Sequence, residues 1–161
     1  MKYINTQVVF QEVPDRISLA INISGCPIHC PGCHSKWLWE DQGTTLDEKE
    51  LDSLIKNNPG INCVAFMGGD ADIVSIKNLC RFVKQNYPQL KTCWYSGREV
   101  SRYDEIRRLE IEPFLDYIKM GPYIEERGGL ENPKTNQVFL EIKHLSDGNI
   151  MRDDITGKFW H

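Results

Sequence analysis

A chain of 161 residues, 40% of them hydrophobic and 26% charged, has the size and composition of one soluble domain covering residues 1–161. It is too short for a complete eight-unit β/α barrel, which typically needs about 250 residues. Its formal net charge of −4 excludes the strongly basic character that nucleic-acid binding usually requires.

The amino-terminal segment, residues 1–10, has neither the basic start nor the long apolar run of a signal peptide. No stretch of the chain approaches the ~20 apolar residues of a membrane span. We therefore expect a cytoplasmic protein that binds no membrane. Thiols stay reduced in that compartment, so a tight group of cysteines predicts a metal site rather than a disulfide framework.

The first predicted elements are a strand and a helix. Residues 16–24 alternate between isoleucine or leucine and small or polar side chains, which predicts a strand that runs into a cysteine loop. Thr45-Leu46-Asp47-Glu48 is typical of a capping box and predicts a helix as far as about Lys56.

Further strands and helices then follow in turn. Short apolar runs at 63–67 and 92–95 predict buried strands, and helical spacing predicts helices over 72–87 and 101–109. Residues 116–120 predict another strand. Asp147-Gly148 predicts a hairpin between strands at 138–145 and 149–155.

This order of elements predicts the fold class α/β, as a partial (β/α) barrel with mostly parallel strands and a C-terminal β-hairpin. Ligands in such folds bind at the carboxyl ends of the strands. The cysteine loop and three turns that contain glycine fall at those ends, the turns being Gly68-Gly69-Asp70, Ser96-Gly97 and Gly121-Pro122.

The strongest chemical signal is the spacing C-x3-C-x2-C formed by Cys26, Cys30 and Cys33. Three thiolates at this spacing can hold three corners of a [4Fe–4S] cluster. A fourth cysteine nearby would close the cluster for electron transfer, and its absence leaves one iron open to a small ligand.

Two other interpretations of the loop stay open. The three cysteines with His29 or His34 could bind zinc, although the paired C-x2-C spacing of zinc ribbons and fingers is absent. They could also be structural. The other three cysteines, Cys63, Cys80 and Cys93, lie in apolar patterns that predict core positions.

Several motifs resemble the radical S-adenosylmethionine superfamily, and within it the activating enzymes of anaerobic ribonucleotide reductase. The resemblance covers the chain from about Ile17 to about Phe139. The motifs that carry it are Ser24-Gly25-Cys26, Cys30-Pro31-Gly32-Cys33-His34-Ser35, Trp37, Gly68-Gly69-Asp70, Trp94-Tyr95-Ser96-Gly97, Gly121-Pro122-Tyr123, Gly129-Leu130 and Thr135-Asn136-Gln137.

The resemblance implies a radical enzyme that contains a [4Fe–4S] cluster and uses S-adenosylmethionine as its cofactor. In such an enzyme the cluster and S-adenosylmethionine carry out the chemistry, and the resemblance implies no further catalytic side chain. The implied cofactor contacts are Gly68, Gly69, Asp70, Ser96, Gly97, Gly32 and His34. In the wider superfamily an aromatic residue commonly precedes the third cysteine, where this chain has Gly32, so only backbone contacts to adenine are expected there.

The implied partner is the glycyl-radical subunit of anaerobic ribonucleotide reductase, with a low-potential electron donor such as flavodoxin or ferredoxin. Two alternatives remain: an activase of another glycyl-radical enzyme of the formate-lyase type, and a non-catalytic iron–sulfur or zinc adaptor. The Gly68-Gly69-Asp70 turn taken alone is also compatible with an ordinary loop, and Ser96-Gly97 with a plain turn.

Overall fold

The computed structural model describes residues 1–160, which form one eight-stranded sheet and three α-helices. Short 3-10 helices lie in the connections. In chain order the elements are β1 (Lys2–Val9), β2 (Ser18–Ile23), β3 (Thr44–Thr45), α1 (Glu48–Lys56), β4 (Cys63–Met67), α2 (Ile73–Asn86), β5 (Lys91–Tyr95), α3 (Tyr103–Arg108), β6 (Tyr117–Met120), β7 (Val138–His144) and β8 (Ile150–Asp154).

The sheet is parallel in its centre and antiparallel on both sides. Its strand order is β3-β1-β2-β4-β5-β6-β7-β8, and the contacts between β2, β4, β5 and β6 are parallel. The contacts of β1, β3, β7 and β8 are antiparallel. The prediction of a mostly parallel sheet is therefore confirmed only for the four central strands, and a partial barrel is not confirmed.

The sequence prediction missed β1 and β3 and placed the first helix cap wrongly. Thr45, predicted to open the capping box, lies in β3 and pairs with Lys2 of β1. Asp47 is the N-cap instead, and its carboxylate accepts the backbone N–H of Glu50 at 2.8 Å. A pairing partner on β1 therefore keeps Thr45 extended, and the helix begins three residues later.

Two apolar clusters lie on opposite faces of the sheet. Val64 and Phe66 of β4 belong to the larger cluster, which also contains the buried faces of the helices. Cys63 and Ala65 alternate with them and belong to a smaller cluster around Phe139. The α-helices thus cover one face, and connecting segments together with residues 155–159 cover the other.

The core assignment of three cysteines is confirmed. Cys63, Cys80 and Cys93 are completely buried, whereas the three cysteines of the loop are only partly buried. Burial raises the pKa of the Cys63 thiol to about 12 and also raises the pKa values of the other two. These three thiols are therefore protonated and behave as small apolar side chains.

Candidate metal centre

The cysteine loop begins where β2 ends, at the carboxyl edge of the central strands. The buried hydroxyl of Ser24 donates to the carbonyl of Gln42 at 2.6 Å, which fixes the start of the loop. Gly25, His29 and Gly32 have φ angles of 76°, 51° and 75°. These left-handed residues turn the chain repeatedly, so that the loop stays compact.

Two of the three loop thiols accept backbone hydrogen bonds. The N–H of Ser35 donates to Cys33 Sγ at 3.3 Å, and the N–H of Tyr123 donates to Cys30 Sγ at 3.4 Å. Cys26, Cys30 and Cys33 are all free thiols. Thiolates are the ligands of iron–sulfur clusters, and hydrogen bonds to their sulfurs are a known control on such clusters. The donor set therefore fits a [4Fe–4S] cluster.

The three thiols are not arranged around a single point. Among residues 1–160, no three His, Cys, Asp or Glu side chains lie where they could hold one metal ion together. In a cubane cluster each cysteine binds a different iron, so its ligands need not converge on one atom.

The two histidines of the loop make aromatic contacts. His29 stacks on Trp39 with ring centroids 4.3 Å apart and planes at 10°. His34 lies against Tyr123, with centroids 5.0 Å apart and 3.5 Å between its Nε2 and the tyrosine hydroxyl. Each histidine therefore ties the loop to a neighbouring segment.

A buried lysine lies beside the loop at the end of β6. Lys119 is 9% exposed and donates through Nζ to the carbonyl of Gly121 at 2.7 Å and to that of Ser96 at 3.4 Å. Burial lowers the pKa of Lys119 to about 8, and the nearby Cys30 opposes that shift. Lys119 therefore brings a buried amino group to the side of the cysteine loop.

The turn after β4 contains two glycines in left-handed conformations. Gly68 and Gly69 have φ angles of 109° and 97°. The carbonyl of Gly68 accepts the indole N–H of Trp94 at 2.8 Å, and its N–H donates to the carbonyl of Tyr95 at 3.1 Å. The turn is thus held against the end of β5.

Asp70 connects this turn to the next one. Its carboxylate is 5% exposed and accepts the Ser96 hydroxyl at 2.5 Å and the Gly97 N–H at 2.8 Å. The Arg98 guanidinium lies 3.4 Å away. Both carboxylate oxygens therefore have donors from the chain itself, and the structure brings Asp70, Ser96 and Gly97 together as one unit.

The turn after β5 also contacts the cysteine loop. A Cβ atom on Gly97 would lie 2.9 Å from Cγ1 of Ile28, which stands between the first two cysteines. Only glycine lets the loop pack this closely. Sequence reasoning singled out Gly97 but missed Ile28, because nothing local marks a contact between residues so far apart in the chain.

Gly32 is covered by the connection between β6 and β7. A Cβ atom on Gly32 would lie 3.1 Å from Oε2 of Glu125. The same connection is fixed by Asn136, whose side-chain N–H donates to the carbonyl of Pro122 at 2.9 Å. Glu125 therefore lies against the loop.

A cleft of about 800 Å³ lies beside the smaller apolar cluster. Tyr95 from β5 and Gln137 before β7 connect it to the strand ends. Gln137 donates to the same Gly121 carbonyl that Lys119 contacts. The other lining residues include Phe10, Glu12, Leu130, Lys158 and Phe159.

The described helices and the known families add three findings. Within residues 1–160, no helix combines the length and apolar character needed to cross a membrane. No curated protein matches the sequence. A family model described as a 4Fe-4S single cluster domain matches residues 16–138, which is well over half of the 161-residue chain. With its three free thiols in a compact loop at the strand ends, the chain therefore belongs to the family of 4Fe-4S single cluster domains.

Proposed function

We propose that the protein is a radical S-adenosylmethionine activase that generates a glycyl radical on anaerobic ribonucleotide reductase. The observation that carries this proposal is the contact between the cysteine loop and the two strand-end turns. Ile28 packs against Gly97, and Gly97 is hydrogen-bonded to Asp70. A cluster on the loop and a cofactor in the turns would therefore be neighbours.

The residues divide into two groups. Cys26, Cys30 and Cys33 would hold the cluster through three of its irons, and the fourth iron would be available to S-adenosylmethionine. Together, the two bound groups supply the chemistry, which is one-electron reductive cleavage of a carbon–sulfur bond to give methionine and a 5′-deoxyadenosyl radical.

The second group positions the cofactor. We assign this role to the 68–70 turn, to Ser96 and Gly97, and to the backbone at Gly32 with the His34 ring. The Asp70 carboxylate shapes the site by fixing the 96–97 turn.

The reacting partner is a glycine in a loop of the reductase. Support comes from the cleft of about 800 Å³ that adjoins Tyr95 and Gln137, because a macromolecular substrate needs an open path to the strand ends. A low-potential donor such as flavodoxin or ferredoxin supplies the electron, and the reaction takes place in the cytoplasm.

Anaerobic reconstitution tests the cluster. The protein should bind about four irons and four sulfides per chain, and Cys30→Ala should prevent assembly while Cys63→Ala should not. Cys63 is the matched control because it is buried in the core. Uptake of one zinc ion without iron would contradict the proposal.

Activity is tested in a second step. With S-adenosylmethionine and a low-potential reductant, the loaded protein should form 5′-deoxyadenosine, and added reductase should acquire a glycyl radical signal. A reductase with its radical glycine changed to alanine should show no signal. Cleavage without any radical on the reductase would retain the enzyme class and reject this partner.

A further inference from the structure

The connection between β6 and β7 is much longer than its geometry requires. The two strands are antiparallel neighbours, which a two-residue turn can join, yet residues 121–137 lie between them. Connections longer than about 12–15 residues usually have a function of their own. Its first part, residues 122–126, lies over the cysteine loop, and we name it the cover.

The cover contacts the loop at three points. The backbone N–H of Tyr123 donates to Cys30 Sγ at 3.4 Å, and its ring lies 5.0 Å from that of His34. The Glu125 carboxylate lies 3.1 Å from the position of a Cβ atom on Gly32, next to Cys33. One contact thus brings a positive dipole to the loop, and another brings a negative charge.

The cover is held in place by hydrogen bonds at its amino-terminal end and by a bridge within the connection. The Gly121 N–H donates to the Arg98 carbonyl at 2.7 Å, and Asn136 donates to the Pro122 carbonyl at 2.9 Å. Ile124 and Gly128 form an isolated β-bridge within the connection. Because several independent contacts fix the segment, the position of Tyr123 relative to Cys30 is set by the fold.

We propose that the cover sets the reduction potential of the iron–sulfur cluster, through the Tyr123 N–H and the Glu125 carboxylate acting in opposite directions. One-electron reduction adds negative charge to the cluster and its thiolates. An N–H that points at a thiolate stabilises the reduced state and raises the potential, whereas a nearby carboxylate destabilises it and lowers the potential. This role requires a cluster held by Cys30 and does not require the proposed activity.

The first test removes the N–H. The Tyr123→Pro variant has no backbone donor at this position. The equilibrium constant for one-electron reduction of the loaded protein should therefore fall about tenfold, which lowers the reduction potential by about 59 mV. Tyr123→Phe keeps both the N–H and the ring, and its potential should equal that of the wild type. An unchanged potential in the proline variant would overturn the role of the N–H.

The second test removes the charge. Glu125→Gln should raise the equilibrium constant for reduction about threefold, because solvent screens part of the effect of an exposed carboxylate. Glu126→Gln is the matched control, since it removes the same charge one residue further along the exposed segment. The measurement is a redox titration of the cluster signal, with neither S-adenosylmethionine nor reductase present.

The opposite signs separate electrostatic control from simple structural support. If the two substitutions only loosened the cover, the reduction potentials of both variants would change in the same direction. Both variants would then also lose iron. If the proline variant assembles no cluster, Glu125→Gln decides alone. A potential for Glu125→Gln equal to that of Glu126→Gln would overturn the proposal.

Discussion

At the residue scale, two requirements on the backbone coincide at Gly69. Its φ angle of 97° lies in the region that residues with side chains rarely adopt. In addition, a Cβ atom there would lie 2.6 Å from Cδ1 of the buried Ile76 and 3.4 Å from Sδ of Met1. Glycine is therefore required by the fold itself, whether or not a ligand approaches the turn.

The change Gly69→Ala should lower the free energy of unfolding by about 3 kcal/mol, since backbone strain and overpacking each typically cost 1–3 kcal/mol. Gly60→Ala is the control, because a Cβ atom at Gly60 meets nothing within 4 Å. It should change stability by less than about 0.5 kcal/mol. Urea unfolding of both variants measures the difference, and equal stabilities would contradict this account of the turn.

At this scale the sequence could predict the chemistry of the cysteine loop. It could not predict the contacts between residues far apart in the chain. The spacing of Cys26, Cys30 and Cys33 predicted an iron–sulfur site, in agreement with the family found. The hydrogen bonds that join Asp70 to Ser96 and Gly97 were not predictable, because residues far apart in the chain meet only in the folded sheet.

At the element scale, predictions succeeded where one side of an element is apolar and failed where it is not. α2 has buried residues at helical spacing and was placed to within one residue at each end. β1 buries only Tyr3, so its sequence carries little of the alternation that marks a strand. It is held by pairing with β2, which no local pattern reveals.

A buried ion pair links two other elements, β8 and the 3-10 helix Glu112–Phe114. The Glu112 carboxylate is 5% exposed and accepts two hydrogen bonds from Arg152, at 2.5 and 2.7 Å, and one from Tyr103. Burial alone would raise the pKa of Glu112, but the bonds from Arg152 and Tyr103 outweigh it and lower the pKa. The pair therefore stabilises the fold only while Glu112 is ionised.

The change Arg152→Met should cost about 3 kcal/mol at pH 7, because it leaves a buried carboxylate without its main partner. A carboxyl group with a lowered pKa stabilises the fold above its unfolded pKa of about 4.3 and ceases to do so as the pH falls through the folded value. The stability difference between wild type and variant should therefore persist from pH 7 down to about pH 4 and shrink as the pH falls further. Urea unfolding of reduced, cluster-free protein measures it.

The exposed pair of Lys143 and Asp153 on the same hairpin is the control for this prediction. Lys143→Met should cause little loss of stability at pH 7, because surface ion pairs are screened by solvent. A pH-independent difference for Arg152→Met would show that the arginine acts through packing and not through its charge.

At the scale of the whole molecule, the two faces of the sheet are covered differently. The helices cover one face of the sheet, where the larger cluster lies. The other face is covered by connections and by the 3-10 helix Thr156–Phe159, which leave the cleft beside Tyr95 and Leu130. Phe10 lies at this cleft and is 67% exposed, which is unusual for so large an apolar side chain.

If the cleft receives the glycine loop of the reductase, Phe10 supplies apolar contact area to that complex. Phe10→Asp should then lower the yield of glycyl radical per S-adenosylmethionine cleaved about tenfold, since burying a phenyl ring contributes about 1.5–3 kcal/mol. Val74→Asp is the control, because Val74 is 60% exposed on α2 and lies outside the cleft. The yield is the amount of reductase radical, measured by spin quantitation, divided by the amount of 5′-deoxyadenosine formed. Equal yields for the two variants would place the docking surface elsewhere on the molecule.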